Sequence, residues 1–228
     1  MKPNVTSPPF SGVATDMSQR DAGEPILFIF TGPSGAGKGS VMRALLERDP
    51  SLRKVVTYTT REPRTGETDG FDYRFVSVAE FHQLVDSGQM FEYEQVYQDH
   101  YYGSPKELFV PDHDGIIELD YKGRLKFTAR HRRVVAIFLL PPSLEELKRR
   151  ILQRSQVDNL EARLRNAIEQ VRHAHSYDYV VKNDTLDDCI SRVETIIRAE
   201  RHRRRGQLEL THMMEDLRDD PDGGHAND

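Results

Sequence analysis

Residues 32–40 read Gly32-Pro33-Ser34-Gly35-Ala36-Gly37-Lys38-Gly39-Ser40. The preceding residues Ile26–Thr31 form a short apolar run, which is typical of a buried strand. The following residues Val41–Glu47 carry their apolar side chains at helical spacing. A strand, a glycine-rich loop with a lysine, and a helix in this order predict a loop that binds phosphate groups.

The chemistry of this loop supports the prediction. Glycines allow backbone N–H groups to turn inward around an anion, and the helix N-terminus adds a partial positive charge. The ammonium group of Lys38 can then neutralise the outer phosphates of a nucleotide. A glycine-rich turn with an incidental lysine is the alternative, but both flanking segments favour a nucleotide site over residues 32–40.

Composition limits the classes of protein to consider. The chain has 228 residues, of which 37% are hydrophobic and 30% are charged, and this length suits one α/β domain. Its net charge of −5 gives no reason to expect nucleic acid as a partner. Cys189 is the single cysteine, which excludes an intrachain disulfide and is compatible with a reducing cytoplasm. Neither a membrane-length apolar run nor a signal peptide is recognisable, so we expect a cytoplasmic protein without a membrane partner.

The pattern along the chain predicts one folded domain between two polar ends. Residues 1–24 are expected to be a disordered leader, residues 25–205 the domain, and residues 206–228 an acidic disordered tail. Strands alternate with helices, which predicts a doubly wound, mostly parallel sheet with its ligand crevice at the carboxyl ends of the strands. The predicted strands of this sheet are Ile26–Thr31, Lys54–Thr57, Gly115–Asp120, Val134–Leu140 and Tyr179–Val181.

A second block interrupts the sheet. Residues 58–114 are predicted to form a small α/β insertion, so that the core consists of residues 25–57 and 115–205. A capping box, Ser77-x-x-Glu80, marks the start of a helix that ends near Ser87-Gly88. Short strands are expected at Asp72–Val76, around Phe91–Val96 and at Tyr101–Gly103.

Several motifs in this insertion and beyond it occur in a recognisable order. They are Thr59-Thr60-Arg61-Glu62-Pro63-Arg64-Thr65-Gly66-Glu67, Asp72-Tyr73-Arg74-Phe75, Glu92, Tyr101-Tyr102-Gly103-Ser104, Glu118-Leu119-Asp120 and Val181-Lys182-Asn183-Asp184. As a set, and over about residues 26–200, they resemble the guanylate kinase family. The resemblance implies a P-loop fold that uses ATP and Mg²⁺ to phosphorylate GMP, and by extension dGMP, in purine nucleotide metabolism.

The chemistry of the acceptor phosphate agrees with this resemblance. A nucleoside monophosphate presents a dianion, and the planar donor forks of two arginines suit it better than lysines do. Arg61 and Arg64 lie three residues apart on one loop, so their guanidinium groups can converge. In the family, residues that match these arginines and Tyr73 and Tyr102 bind the GMP phosphate, and tyrosine can add an O–H donor.

Hydrogen-bond direction selects the base. Guanine presents two N–H groups beside a carbonyl, so the Glu92 carboxylate can accept from both, whereas adenine would turn a lone pair toward it. The Thr57 hydroxyl can donate to the guanine carbonyl, and Asp120 supplies a second acceptor. Ser104, at the end of its family motif, completes the predicted GMP-binding set.

The resemblance also implies how the transfer step is assisted. A lid at about residues 154–163 would carry Arg154 and Arg163 onto the transferring phosphoryl group and exclude water. Asn183 matches a residue on the adenine side of ATP. No direct metal ligand is predicted, because the nucleotide phosphates and water would hold Mg²⁺. Side chains that could assist are Ser40, Glu118 and Asp120.

Some residues depart from the family pattern. Gly39 stands where a serine or threonine often binds Mg²⁺, the lid is about two residues short, and the segment 105–117 also looks short. Two other functions also stay open at this point. One is a non-catalytic guanylate kinase-like module that binds phosphopeptides, and the other is a kinase of another small phosphorylated substrate. The sequence does not indicate an oligomeric state.

Overall fold

The computed structural model describes residues 25–96, 100–110, 112–131, 133–153 and 160–219. The predicted leader therefore lies outside the described residues. The strands are β1 Leu27–Thr31, β2 Leu52–Lys54, β3 Tyr58–Thr59, β4 Arg74–Phe75, β5 Met90–Val96, β6 His100–Pro105, β7 Asp114–Glu118, β8 Val134–Leu140 and β9 Tyr179–Lys182. The α-helices are α1 Lys38–Arg48, α2 Val78–Asp86, α3 Tyr121–Arg130, α4 Leu144–Gln153, α5 Leu160–Arg172 and α6 Leu186–Asp219, and a 3₁₀ turn covers Ala174–Ser176.

The main sheet is parallel throughout. Its five strands follow the order β2-β7-β1-β8-β9, so that β1 is central, with β7 and β8 as its neighbours. The glycine-rich loop follows β1 directly and leads into α1, which confirms the strand–loop–helix prediction. It therefore lies at the carboxyl edge of the sheet, where parallel α/β sheets bind their ligands.

Side chains of β1 alternate between two hydrophobic layers. Phe28 and Phe30 pack in one cluster with residues of α1 and α6, while Leu27 and Ile29 face a second cluster that includes Phe127 of α3. Both layers are needed because every residue of β1 is buried. Helices on both faces confirm the predicted doubly wound α/β fold.

The predicted insertion supplies a second sheet. Its order is β4-β3-β6-β5, and β5 pairs with β6 antiparallel. The predicted capping box is present on α2: the Glu80 N–H donates to Ser77 Oγ at 3.2 Å, and the Ser77 N–H donates to Glu80 Oε2 at 2.8 Å. Phe81 of this helix is fully buried, and its ring lies 5.4 Å from that of Tyr101 on β6. The helix thus holds this sheet from one face.

Two elements differ from the sequence prediction. The strand expected at Lys54–Thr57 lies earlier, at Leu52–Lys54, because the Thr57 carbonyl already accepts from the Arg74 N–H of the second sheet at 2.8 Å. Helix α3 is an addition to the predicted elements. Asp120 begins it by accepting from the Gly123 N–H at 2.7 Å.

The C-terminal segment is more ordered than expected. The sequence predicts a last helix that ends near Arg204 and a disordered tail, but α6 continues to Asp219. That prediction is wrong for residues 206–219, and residues 220–228 lie outside the described part. Arg201 anchors the helix by donating to Asp114 Oδ2 at 2.7 Å and to Asp49 Oδ2 at 2.6 Å. Arg201 opens the basic stretch Arg201-His202-Arg203-Arg204-Arg205, so at least one arginine of this stretch forms internal ion pairs. None of the helices in the described ranges is long and apolar enough to cross a membrane.

Candidate active site

Two glycines shape the nucleotide loop. Gly32 and Gly37 have φ values of +149° and +92°, which side chains rarely adopt. A Cβ atom at Gly32 would collide with the Leu139 carbonyl oxygen, and one at Gly37 would collide with the Asn183 amide. The loop can follow this path against β8 and β9 only with glycine at both positions.

The Lys38 side chain folds back over the loop. Its Nζ donates to the carbonyls of Gly32 at 2.6 Å and Pro33 at 3.2 Å, and lies 3.3 Å from Glu118 Oε1 at the end of β7. Only 11% of this side chain is exposed. The ammonium group is thus held at the carboxyl edge of the sheet, beside the loop amides, as a phosphate-binding lysine requires.

Two side chains from distant segments brace the loop. Asn183 Nδ2 donates to the Ala36 carbonyl at 2.7 Å, and Arg150 Nη1 donates to the Gly35 carbonyl at 3.2 Å. Asn183 is expected on the adenine side of ATP, whereas its amide in the structure supports the loop backbone. Sequence reasoning missed Arg150, although α4 precedes the predicted lid and Arg150 comes four residues before Arg154.

We expect Asn183→Ala to lower the free energy of unfolding by about 1–3 kcal/mol and to raise the KM for ATP. The substitution leaves the Ala36 carbonyl without its donor and frees the loop. Urea unfolding and steady-state kinetics measure the two effects. Asp184→Ala, which removes a partly exposed neighbour, should change stability by less than about 0.5 kcal/mol. Equal effects of both substitutions would contradict this role for Asn183.

Arg61 is the centre of the predicted acceptor-phosphate site. Its guanidinium group binds Glu67 through two parallel hydrogen bonds of 2.6 and 2.7 Å, and its Nε donates to the Tyr102 hydroxyl at 3.2 Å. The Tyr73 ring lies 4.9 Å from the Arg61 Cζ and 6.0 Å from the Tyr102 ring. Three of the four residues predicted to bind the GMP phosphate therefore meet in one cluster.

The Arg61 guanidinium retains capacity for a phosphate. Hydrogen bonds to Glu67, to the Glu62 carbonyl and to Tyr102 use four of its five N–H donors within the described residues. Burial alone would lower the pKa of Arg61, but the bonded Glu67 carboxylate holds it above its ordinary value. The charge of Arg61 is therefore permanent.

Tyr73 is prepared as a hydrogen-bond donor. Burial, reinforced by the negative charge of Glu118, raises the pKa of its hydroxyl above the ordinary value. The group thus keeps its proton at neutral pH. Glu118 also pairs with Lys38 of the nucleotide loop.

Arg64 is placed differently from Arg61. Its side chain is exposed and makes no hydrogen bond within the described residues, while its backbone N–H donates to Glu67 Oε2 at 2.8 Å. Glu67 thus organises both ends of this loop. Glu67 belongs to a family motif but is not among the predicted site residues. Its place beside Gly66 in that motif could have identified it as a partner of Arg61.

A lysine of the core reaches the same region. Lys54, at the end of β2, donates to the Phe71 carbonyl and, at 3.1 Å, to the Asp72 carbonyl. Burial lowers its pKa below the ordinary value, against the raising effect of Asp72 and Glu118. It ties the main sheet to the residues directly before Tyr73, and no local sequence pattern indicates this contact.

The predicted guanine-reading residues are only partly brought together. Glu92 on β5 accepts from the Ser104 hydroxyl at 2.8 Å and from Lys126 Nζ at 3.1 Å, and Ser104 is fully buried. Within the described residues, neither Thr57 nor Asp120 makes a hydrogen bond to Glu92. Thr57 is buried at the boundary of the two sheets, and Asp120 caps α3.

The lid and the metal remain predictions. Arg154 lies outside the described residues, and Arg163 falls within α5, but its side chain is outside the described part. In the described ranges of the chain, no three His, Cys, Asp or Glu side chains are grouped so that they could hold a metal ion. The prediction that phosphates and water hold Mg²⁺ stays a prediction. The exposed Ser40 and the partly exposed Glu118 flank Lys38 and fit such a hydrated ion.

Comparison with known proteins identifies the family of this chain. A family model described as guanylate kinase matches residues 24–200. The chain is 40% identical over 184 residues to a guanylate kinase from Caldanaerobacter subterraneus subsp. tengcongensis, covering 78% of this chain and 89% of the relative. It is 38% identical over 200 residues to one from Paramagnetospirillum magneticum, covering 85% and 93%.

A solved structure gives the same result for the fold. The crystal structure of guanylate kinase from Anaplasma phagocytophilum superposes with a TM-score of 0.63 at 32% identity, over 78% of this chain and 87% of that one. The nucleotide loop, the Arg61 cluster and Glu92 all lie within the matched range. This chain belongs to the guanylate kinase family.

Proposed function

We propose that this protein transfers the γ-phosphoryl group of ATP to GMP or dGMP, releasing ADP and the nucleoside diphosphate. The observation that carries the proposal is the presence of two phosphate-binding groups on one domain: Lys38 lies over the glycine-rich loop, and Arg61, Tyr73 and Tyr102 meet in one cluster. Lys54, at the end of β2, donates to the carbonyls of Phe71 and Asp72 and so ties the main sheet to the segment that carries Tyr73.

The donor site is formed by the loop and its lysine. Backbone N–H groups of residues 34–40, which include the N-terminus of α1, bind the ATP phosphates, and Lys38 neutralises the charge on the outer ones. To do so, its ammonium group exchanges the carbonyls of Gly32 and Pro33 for phosphate oxygens. A bound Mg²⁺ ion would add charge neutralisation, with Ser40, Glu118 and Asp120 near its water ligands. Gly39 offers no hydroxyl to it.

The acceptor site holds the GMP phosphate in line with the donor. Arg61 contributes its permanent charge and its remaining N–H, Tyr73 and Tyr102 contribute hydroxyl groups, and Arg64 is free to close over the phosphate from the loop surface. Holding both phosphates at a fixed separation supplies most of the catalysis in phosphoryl transfer. Arg154 and Arg163 of the lid would complete the charge balance and exclude water.

Glu92 provides the choice of base. Its two oxygens accept from the adjacent N–H groups of guanine, while Thr57 and Asp120 supply a further donor and acceptor nearby. Adenine would direct a lone pair at the buried carboxylate, which carries a penalty of about 10²-fold or more. We place this activity in the cytoplasm, in keeping with the buried, unpaired thiol of Cys189.

A coupled assay of ADP release tests the proposal. Full-length protein with ATP and Mg²⁺ should turn over GMP and dGMP rapidly, and AMP, CMP, UMP and sugar phosphates slowly. Equal turnover of AMP and GMP would contradict the role assigned to Glu92. Binding of ATP without turnover of any of these acceptors would replace the kinase by a binding module.

A further inference from the structure

A lysine outside the family motifs contacts the guanine-reading carboxylate. Lys126 lies on α3, which packs against β5, and its Nζ donates to Glu92 Oε2 and to the Tyr93 carbonyl, both at 3.1 Å. The exposed fraction is 9% for the Glu92 side chain and 37% for that of Lys126. A buried carboxylate is thus matched by a fixed counter-ion on a neighbouring element.

The two oxygens of Glu92 are occupied symmetrically. Oε1 accepts from the Ser104 hydroxyl at 2.8 Å, and Oε2 accepts from Lys126. A carboxylate has about four lone-pair positions, so each oxygen retains about one. That is the number needed for the two adjacent N–H groups of guanine, one on each oxygen.

A bound base makes the counter-ion more important. Guanine would cover Glu92 and remove its remaining water, and an ionised carboxylate without a partner is costly in such surroundings. Lys126 supplies that partner and also fixes the rotation of the carboxylate, since the ammonium group is tied to the β5 backbone through the Tyr93 carbonyl. It can do so without competing for the lone pairs that the base requires.

We propose that Lys126 is a positioning residue for guanine recognition, which pairs with the Glu92 carboxylate and holds it aimed at the base. The inference rests on the proposed function, because it concerns the same acceptor site. It adds a specificity element on α3, a helix that contributes only the capping residue Asp120 to the predicted site.

The chain offers a matched control. Lys122 lies one turn earlier on α3 and pairs with Glu94, two residues later on β5, at 2.7 Å. It joins the same helix to the same strand as Lys126 does. Glu94, however, is not one of the residues predicted to read the base. Lys122→Met therefore measures how much such a helix–strand ion pair contributes through structure alone.

Kinetics of the full-length protein test the proposal. Lys126→Met keeps the aliphatic stem, and we expect it to raise the KM for GMP about tenfold, as for a lost charged hydrogen bond, with kcat within about twofold. Lys122→Met should change both constants by less than about twofold. Lys126→Arg should restore most of the affinity. Urea unfolding of all three variants shows whether the fold is intact.

A double-mutant cycle separates positioning from stability. If Lys126 acts through Glu92, Lys126→Met should change the KM for GMP by less than about twofold in a Glu92→Gln background. A tenfold effect that persists in that background, or equal effects of Lys126→Met and Lys122→Met, would overturn this inference alone. Wild-type protein that does not phosphorylate GMP would overturn the proposed function together with it.

Discussion

Lys38→Ala is expected to lower kcat for GMP phosphorylation by about a thousandfold or more, the cost typical of removing a cation that stabilises transferring phosphate oxygens. The Lys38 ammonium group lies directly over the nucleotide loop, 2.6 Å from the Gly32 carbonyl oxygen. Without this ammonium group, negative charge on the transferring phosphoryl group would develop near the Glu118 carboxylate with less positive charge to balance it. The expected loss is therefore mainly in kcat, with a smaller rise in the KM for ATP.

The ADP-release assay measures this loss, and urea unfolding serves as the check on folding. Lys182→Ala is the matched control, because Lys182 pairs at the surface with Asp184 and lies at the same edge of the sheet. It should retain wild-type turnover within about twofold. Should Lys38→Ala keep more than a tenth of the wild-type kcat, Lys38 would not be the cation that stabilises the transferring phosphoryl group.

Local sequence was sufficient for much of the fold. The nucleotide loop, the capping box of α2 and the buried strand β8 each depend on short-range patterns: glycine spacing, Ser77-x-x-Glu80 and an apolar run. Each is confirmed because the contacts that specify it lie within a few residues along the chain.

Helix α3 escaped prediction for a physical reason. Its buried face carries Arg124, which breaks the apolar pattern of an amphipathic helix. The Arg124 guanidinium is buried because it lies 4.4 Å from the Tyr177 ring and donates to the Ser176 carbonyl at 3.1 Å. These partners lie more than fifty residues away in sequence, so no local pattern indicates them. The contact of Lys126 with Glu92 could not be predicted either, because it also joins residues that are far apart in sequence.

At the end of α6 the error is the reverse: a helix is present where the sequence predicts disorder. A charged segment is typical of disorder, yet the ion pairs of Arg201 with Asp49 and Asp114 fix the preceding turn of the helix to the domain. Helix-forming residues then continue the helix to Asp219. The supporting role of Asn183 was likewise hidden, since its partner Ala36 lies 147 residues earlier.

Glu92→Gln is expected to raise the KM for GMP about a hundredfold, the cost of about two lost charge-assisted hydrogen bonds in a desolvated site. The amide keeps one acceptor oxygen, but its NH₂ group would face a guanine N–H. It also leaves the ammonium group of Lys126 without its carboxylate partner. The kcat at saturating GMP should fall much less, because Glu92 contacts the base and not the transferring group.

The same substitution should relax the choice of base. A glutamine NH₂ can donate to the adenine lone pair that the carboxylate repels, so kcat/KM for AMP should rise relative to that for GMP. Glu94→Gln is the matched control, since Glu94 lies two residues further along β5 and pairs with Lys122. It should leave the ratio of AMP to GMP turnover unchanged. An unchanged ratio in Glu92→Gln as well would show that guanine is read elsewhere, with Thr57 and Asp120 as the next residues to substitute.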